Sequence, residues 1–432
     1  MSSVAIRPAP LRDLIDESLD EATFLWRQWE RELTSLTRNL AEIWSWTEDR
    51  LQGALDGVRA AGDSVTEFAT QGLLGDEIDR ITCCAGVLAS TSDPQATGVL
   101  AAALRVAEGE KLSAMLRGLE VLASDHALRA AASVFATSQP ASAGALCRLK
   151  SFRRSPGGSE MIAAFRSGDP AIQLDAVRVA RHTASHAAER VIAAALRSDD
   201  AALTFAAVES GLALGVEEAW FTTTSRARAG GVDAARYMKL LAMLGGSAEH
   251  DLVYRALPNS EWQLDAIWAL GHIGTVRAIE SCIAGMHHET LARACGEAYC
   301  WITGANLERD GLAVKETLPE APAFEDDDLD ENLVPAQATL WPLPNADAVR
   351  QHWGVRRSEF AAGVRYVLGQ PVDAETLLAA VESGPMLRRP DLILELAAET
   401  RGRYDVEARA FAGRQRSMMA ASRSAVSNQS GR

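Results

Sequence analysis

The sequence predicts an all-α protein: an α-solenoid of stacked helix pairs with a helical N-terminal cap and a small helical C-terminal module. Of the 432 residues, 47% are hydrophobic but only 6% are aromatic, and the abundant alanine and leucine favour helix over strand. An internal repeat is the second indication. The stretch that begins at Leu264, LDAIWALGHIGTVRAIESCIAGM, has a counterpart ninety residues earlier at Leu174, LDAVRVARHTASHAAERVIAAAL. Recurrence of units of about 30 residues is typical of a helical repeat array.

Residues 1–75 are predicted to form the N-terminal cap, a helical hairpin. Apolar side chains recur every three or four residues between Leu11 and Leu33, the spacing of an amphipathic helix. A second such segment extends from Leu40 to Phe68. Four tryptophans lie near the connection: Trp26, Trp29, Trp44 and Trp46. Aromatic residues at helical spacing usually pack inward, so we expect these to fill the core of the cap rather than to line a partner-binding groove.

Residues 76–310 are predicted to form the repeat array. About eight units repeat the plan of an apolar helix, a turn and a second apolar helix, and they begin at Arg80, Leu112, Ala143, Leu174, Leu203, Arg236, Leu264 and Leu291. One helix pair cannot hide its apolar stripe alone, so neighbouring units must stack and bury a continuous seam.

Two sets of residues follow from this arrangement. Near the end of the array, five side chains are expected in the buried seam: Leu264, Ile267, Leu270, Ile279 and Ile283. Five glycines are expected in tight turns between paired helices: Gly211, Gly215, Gly245, Gly271 and Gly274. A positive φ at such a turn has little energetic cost for glycine.

Residues 311–344 are predicted to be an acidic, proline-rich linker. An acidic cluster occupies residues 325–331, and no lysine or arginine occurs from 316 to 340. Such a composition cannot bury enough apolar surface to order itself. A calcium loop is not expected, because the glycine that it needs at its sixth position is absent. Helical spacing resumes over residues 345–419, the C-terminal module, and residues 420–432 are predicted to be a disordered tail.

The overall charge limits the partners. The formal net charge is −15, so neither nucleic acid nor an anionic membrane would attract this surface at long range. No uninterrupted run of about 18 apolar residues occurs, and the N-terminus lacks a basic segment followed by an apolar one. We therefore expect a cytoplasmic protein whose partner is another protein, with no nucleic-acid or membrane contact.

Few patterns suggest chemistry. His182 and His186 stand four apart with Glu189 just beyond, a spacing that could bind zinc on one helix. The repeat alignment, however, places His182 opposite His272, in the turn between helices. The His-His-Glu sequence at 287–289 also falls on a turn. No metal site is therefore expected at either position, and no catalytic residue, cofactor-binding residue or cofactor is predicted.

The cysteines and glycine-rich stretches give no stronger signal. No CxxC pair occurs among the six cysteines, which we expect to be reduced and mostly buried: Cys83, Cys84, Cys147, Cys282, Cys295 and Cys300. The sequence contains neither a GxxxxGK[ST] phosphate-binding loop nor a GxSxG nucleophile elbow.

The chain nevertheless resembles a known group of proteins. Its central units resemble the HEAT-like repeats of phycobilisome lyases, above all in WALGHIGTVRAIESCIAGM and LARACGEAYCWITGANL. Over nearly its full length it resembles an uncharacterised bacterial family with such repeats, through EDRLQGALDGVRAAG (Glu48–Gly62), GEAYCWITGANL (Gly296–Leu307), YVLGQPVDAETLLAAVESG (Tyr366–Gly384) and GRQRSMM (Gly413–Met419). Members of that family are often encoded in type VI secretion clusters, beside the spike protein and its PAAR-like tip. The resemblance implies an accessory, adaptor or immunity role and transfers no catalytic residue.

Two classes of function follow. The favoured hypothesis is a non-enzymatic HEAT-like repeat scaffold or adaptor whose inner face binds a protein, accessory to type VI secretion in spike or effector loading. An immunity protein that binds a toxin is an alternative within this class. The other class is a lyase-like or pigment-handling enzyme on the same scaffold, which would show a bound chromophore, a metal or turnover. A shared scaffold does not imply a shared reaction.

Overall fold

The protein is built of helices that pack on helices. The structure is a computed structural model that describes residues 12–137, 139–231, 233–315 and 340–427. Within these ranges the only sheet is a hairpin of two strands with two residues each, so the predicted all-α fold is confirmed. None of the helices in the described part of the chain is both long and apolar enough to cross a bilayer.

The chain divides into two compact units. The first unit contains the residues up to Ala219 together with those from Pro385 onward, and the second unit is Trp220–Gly384. This division passes through the predicted C-terminal module. Residues 345–384 belong to the second unit, whereas the remainder of the module belongs to the first.

The N-terminal cap has more breaks than the predicted hairpin. Its helices are α1 (Arg12–Glu32), α2 (Leu40–Ile43), α3 (Asp49–Arg59) and α4 (Val65–Leu74). A π-helical turn, Trp44–Glu48, separates α2 from α3. Gly62, which follows α3, adopts a positive φ that a continuous helix does not accommodate. Trp26 and Trp29 are buried as predicted, but Trp46 is exposed, and the Arg38 guanidinium lies over its ring.

Seven helix pairs and one further helix follow, at the positions that the repeat predicts. In order they are α5 (Ile78–Ser90) and α6 (Pro94–Val106), α7 (Gly109–Leu122) and α8 (Asp125–Phe135), α9 (Pro140–Phe152) and α10 (Ser159–Phe165), α11 (Pro170–Ala180) and α12 (His186–Ala195), α13 (Ala201–Leu214) and α14 (Glu217–Ala229), α15 (Ala234–Leu244) and α16 (Ser247–Ala256), α17 (Gln263–Ile273) and α18 (Val276–Gly285), and α19 (Ala292–Thr303). In the first unit α5, α7, α9, α11 and α13 pack each on the next, and in the second α15, α17 and α19 do the same. This stacking of first helices is solenoid-like.

Short polar residues determine where many of these helices begin. An aspartate or serine precedes the first turn and accepts hydrogen bonds from its backbone N–H groups, which have no partner within the helix. Five helices of the array begin in this way, after Asp93, Ser124, Asp169, Ser185 and Asp200.

The buried seam of the second unit contains four of the five predicted side chains. Ile267, Leu270, Ile279 and Ile283 are buried. The prediction for Leu264 is wrong, since 54% of this residue is exposed. It lies in the first turn of α17, on the side of the helix that faces solvent.

The predicted turn glycines have two different roles. Gly215 and Gly274 adopt positive φ values where α13 and α17 end, as predicted. Gly245 lies in the turn between α15 and α16, as predicted, but with a negative φ. The prediction is wrong for Gly211 and Gly271, which lie inside α13 and α17. At Gly211 the absence of a side chain serves close packing, because an added Cβ would lie 2.6 Å from that of Ala219.

The remaining elements follow residue 340. They are α20 (Ala346–Arg356), β1 (Tyr366–Val367), β2 (Gln370–Pro371), α21 (Ala374–Ser383), α22 (Arg389–Glu399) and α23 (Ala412–Ser427). β1 and β2 form an antiparallel hairpin, which was not predicted. It donates backbone hydrogen bonds to carbonyl groups at the C-terminal ends of α17 and α19. The Tyr366 N–H donates to Gly274 O at 2.9 Å, and the Leu368 N–H donates to Trp301 O at 2.7 Å. Helix α23 continues to Ser427, beyond the predicted start of the disordered tail at 420.

The two ends of the predicted linker are ordered and pack within the second unit. Ala313 forms an antiparallel bridge with Pro344. The Trp341 ring stacks on the Trp268 ring, with centroids 6.2 Å apart. The acidic cluster at 325–331 lies outside the described residues.

Candidate functional site

Basic side chains cluster where the first helices of the first unit end. Arg153 and Arg154 follow α9 directly, and Arg181 and His182 follow α11. The C-terminus of a helix carries unpaired carbonyl groups and a partial negative charge, which favour cations there. Residues 404–412, the C-terminal segment, lead into α23 and contact this cluster.

Arginines hold the C-terminal segment by its backbone. The Arg154 guanidinium donates to Val406 O at 2.8 Å, and that of Arg117 donates to Arg409 O at 2.9 Å. Glu30 fixes Arg117 by accepting a hydrogen bond from its Nε at 2.6 Å. Because every residue has a backbone carbonyl, bonds of this kind do not depend on the sequence of the segment that is held.

Asp405 anchors the segment by its side chain. Its carboxylate lies 3.0 Å from Arg154 Nε and 3.6 Å from the Arg181 guanidinium, and it accepts a hydrogen bond from His182 Nδ1 at 2.8 Å. Burial alone would raise the pKa of Asp405, but the hydrogen bond from His182 and the charge of Arg154 outweigh it and lower this pKa to about 2. Burial lowers the pKa of His182, and Asp405 opposes this only in part. The group is therefore an aspartate held by two guanidinium groups and a neutral imidazole.

A second carboxylate, Glu407, extends the ionic cluster. Arg154 and Arg409 both contact it, at 3.2 and 3.1 Å. Burial would raise the pKa of Glu407, but these two positive charges outweigh it and lower the pKa to about 2. Nearby, the fully buried Glu120 accepts hydrogen bonds from Arg117 and Arg148, at 3.2 and 2.7 Å. These carboxylates are thus all paired with arginine.

Aromatic packing and a buried carboxylate fix the far end of the C-terminal segment. The Phe411 ring packs edge-to-face against those of Trp29 and Trp26, with centroids 4.9 and 6.5 Å apart. The Ala412 N–H, the first of α23, donates to both carboxylate oxygens of Glu48, at 2.8 and 2.9 Å. Burial raises the pKa of Glu48 to about 7, although the hydrogen bond from Ala412 opposes the shift. This contact therefore titrates near neutral pH.

A Glu48→Gln variant is expected to show a different dependence of stability on pH. In the parent protein the pKa of Glu48 is raised from 4.5 to about 7 by folding. Between these pH values the carboxyl group is protonated in the folded state and ionised in the unfolded state. Stability should fall as the pH rises from 4.5 to 7, by an amount on the order of 3 kcal/mol. Glutamine cannot ionise, so the free energy of unfolding of the variant relative to the parent should increase across this window. Urea unfolding at several pH values measures it, and a constant difference would contradict the assignment.

His182 and Asp405 form a pair of a kind that orients an imidazole as a base in several hydrolases. Here the His182 side chain is only 5% exposed, and the pair lies among arginines that bind the C-terminal segment. A substrate would have to displace that segment to reach the imidazole. In this structure the pair therefore serves to hold the C-terminal segment in place.

The structure separates the histidines that the sequence brings together. His182 lies in the turn after α11, as predicted, whereas His186 begins α12 with 96% of its side chain exposed and pairs with Glu189 at 3.0 Å. Residues 287–289 lie in the turn between α18 and α19, as predicted, and His287 contacts Arg350. In the part of the chain that the structure describes, no three His, Cys, Asp or Glu side chains are grouped so that they could hold a metal ion.

Burial disfavours the thiolate form at five of the six cysteines. Five of the six are buried and Cys300 is half-buried, and none forms a disulfide. Burial raises the pKa of Cys84, Cys295 and Cys300 to about 12, far above the range in which a thiolate acts as a nucleophile. Burial also raises the pKa values of Cys83 and Cys147.

An apolar groove lies at the surface of the first unit. Its volume is about 540 Å³, and it is lined by the end of α4, one face of α6 and the start of α7. The exposed side chains of Leu74 and Val106 flank buried Leu73 and Met115. Lys111 also contributes to the lining and pairs with Asp76 at 2.8 Å. Exposed leucine and valine at a concave site are typical of a protein-binding surface.

The second unit contains a larger cleft of about 610 Å³, whose lining includes several charged side chains. The Arg277 guanidinium lies 3.7 Å from the centre of the Tyr254 ring and donates to Asp251 at 2.7 Å. Glu280, also in the lining, pairs with Arg357 at 3.3 Å. Arg277 and Glu280 are therefore neutralised by these partners.

Comparison with known proteins adds little. No family model and no curated protein matches the chain. One solved structure that is similar is the crystal structure of an engineered protein, with 15% sequence identity and a TM-score of 0.28, covering 66% of this chain and 93% of that one. A likeness this weak supports no conclusion about function.

Proposed function

We propose that this protein is a non-enzymatic HEAT-like repeat scaffold or adaptor that binds a protein partner and is accessory to type VI secretion, in spike or effector loading. The observation that carries this is the apolar groove of the first unit, a concave surface where Leu74 and Val106 are exposed to solvent. The secretion context rests on the family resemblance alone.

The apolar groove is the free surface that suits such a partner best. The C-terminal segment fills the charged cluster at the helix ends, whereas Leu74 and Val106 remain exposed to solvent by 78% and 80%. Burial of side chains of this size contributes about 1.5–3 kcal/mol each to an interface. The net charge of −15 further favours a partner with basic residues beside its apolar contact.

A binding experiment tests this proposal. The tagged protein is incubated with purified spike, PAAR-like tip and effector proteins of a type VI secretion cluster, and the affinity for any partner that binds is measured. The double variant Leu74→Asp/Val106→Asp should weaken binding at least tenfold, because each aspartate removes apolar contact and places a charge in the groove.

The control exchanges equally exposed apolar residues elsewhere. Val355 and Phe221 of the second unit are 81% and 71% exposed, and Val355→Asp/Phe221→Asp should bind like the parent. Equal affinities of the two double variants would exclude the groove as the interface. Binding of a cognate toxin in place of the secretion proteins would favour the immunity role, and binding of none of these proteins would contradict the proposal.

A further inference from the structure

A second pocket of the first unit carries an excess of positive charge. It has a volume of about 440 Å³ and lies between α8, α9 and the start of α23. Its lining includes Arg129, Lys150, Arg153 and Arg414 but only one acid, Asp125. The excess is unexpected in a chain with a net charge of −15.

The charges in this pocket are incompletely compensated. Lys150 pairs with Glu160 at 2.6 Å. Arg153 donates to Ala123 O at 2.7 Å, but its Nε is buried without a hydrogen-bond partner. Arg129 and Arg414 form no ion pair with any residue that the structure describes. Among the described residues, therefore, no carboxylate forms an ion pair with three of the four cations.

The electrostatic cost of the arrangement is visible at Arg153. Burial, together with the nearby positive charge of Arg414, lowers the pKa of Arg153 to about 10. Burial also lowers the pKa of Arg414. Positive charges that lack counter-ions destabilise one another, and an anion bound between them would remove this repulsion.

The remainder of the pocket is apolar. Leu128, Leu146 and Leu149 contribute to its lining beside the charged groups. The Arg414 guanidinium also lies 5.5 Å from the centre of the Phe152 ring, which helps to position it. A ligand for this site would combine an anionic head with a small apolar group.

We propose that this pocket binds a small phosphate monoester, with its phosphate between Arg129, Arg153 and Arg414 and its organic group against the leucines. Guanidinium groups present paired N–H donors that match the oxygens of a phosphate. A doubly charged head suits three unpaired cations better than a single carboxylate does. The site is separate from the apolar groove and does not depend on the proposed protein partner.

Calorimetric titration of the full chain with phenyl phosphate tests the proposal. The parent protein should bind phenyl phosphate in a 1:1 complex. Phenol should bind less tightly because it has no phosphate group, and inorganic phosphate should bind less tightly because it has no apolar group. Arg414→Gln and Arg129→Gln should each weaken binding by about tenfold or more, because a hydrogen bond to a charged group is lost. Arg414→Lys, which keeps the charge but loses the paired donors, should fall between Arg414→Gln and the parent.

Arg416→Gln is the matched control, because it removes the same charge from the same helix outside the pocket. Arg416 lies over the Trp44 ring, and its replacement should leave the affinity unchanged. The thermal unfolding of each variant shows whether it is folded before titration. Absence of phenyl phosphate binding at millimolar concentration, or equal affinities of Arg414→Gln and Arg416→Gln, would overturn the proposal. Binding of inorganic phosphate as tight as that of phenyl phosphate would overturn the role of the leucines.

Discussion

Replacing Asp405 by alanine is expected to lower the free energy of unfolding by about 3–5 kcal/mol, the usual cost of removing one partner from a buried ionic group. Asp405 compensates Arg154 and Arg181 and accepts the hydrogen bond of His182. Without it, two guanidinium groups repel each other and the imidazole loses its acceptor. Urea unfolding followed by tryptophan fluorescence measures the loss, since Trp26 and Trp29 are buried in the same unit.

The control for Asp405 is an exposed ion pair. Asp347 lies 3.0 Å from Arg350, and most of both side chains is exposed, so Asp347→Ala should cost less than about 1 kcal/mol. Equal effects of the two substitutions would show that the buried cluster contributes no more than a surface pair.

Acid titration gives an independent check on the same residue. The pKa of Asp405 is lowered from 3.8 to about 2 in the folded protein. Its stabilising contribution is therefore present above pH 4 and is lost as the pH falls from about 4 to about 2. The difference in stability between the parent and Asp405→Ala should shrink over this range.

The repeat array could be predicted from the sequence because its information is local. Each helix pair has its own apolar stripe and its own turn, and the units recur about every 30 residues. The stretch at Leu174 therefore correctly predicted the helix pair α11 and α12, and the stretch at Leu264 correctly predicted the pair α17 and α18. Gly215 and Gly274 were recognised because a helix end that needs a positive φ favours glycine.

The path of the C-terminal segment could not be predicted in this way. Its contacts join residues far apart in the chain, such as Arg154 with Glu407 and Arg117 with Arg409. A single sequence gives no signal for pairing over such distances. The sequence predicts a helical module over residues 345–419, whereas residues 404–411 are not helical in the structure.

His182 illustrates the same limit within the candidate site. Its place in a turn followed from the repeat alignment, and its separation from His186 was correctly expected. Its actual partner, Asp405, lies more than two hundred residues away. The burial of His182 and the charges around it depend on tertiary packing, which cannot be predicted from the residues next to it in the sequence.

Replacing Leu270 by alanine is the most direct test of the buried seam. Leu270 is 1% exposed and packs in the core of the second unit, so its truncation should cost about 2–5 kcal/mol through lost apolar burial and a residual cavity. Leu264→Ala makes the same chemical change on the same helix. Because 54% of Leu264 is exposed, this control should change the stability by less than about 0.5 kcal/mol.

The comparison of the two leucine variants separates packing from helix propensity. Both substitutions replace leucine with alanine in α17, and alanine is the better helix former, so propensity alone predicts a slight gain for each. A large loss at Leu270 together with none at Leu264 would locate the stabilising face of α17 on the side of Ile267 and Leu270. Chemical unfolding of both variants under identical conditions provides the measurement. Similar losses at the two positions would mean that α17 is not oriented as the structure shows.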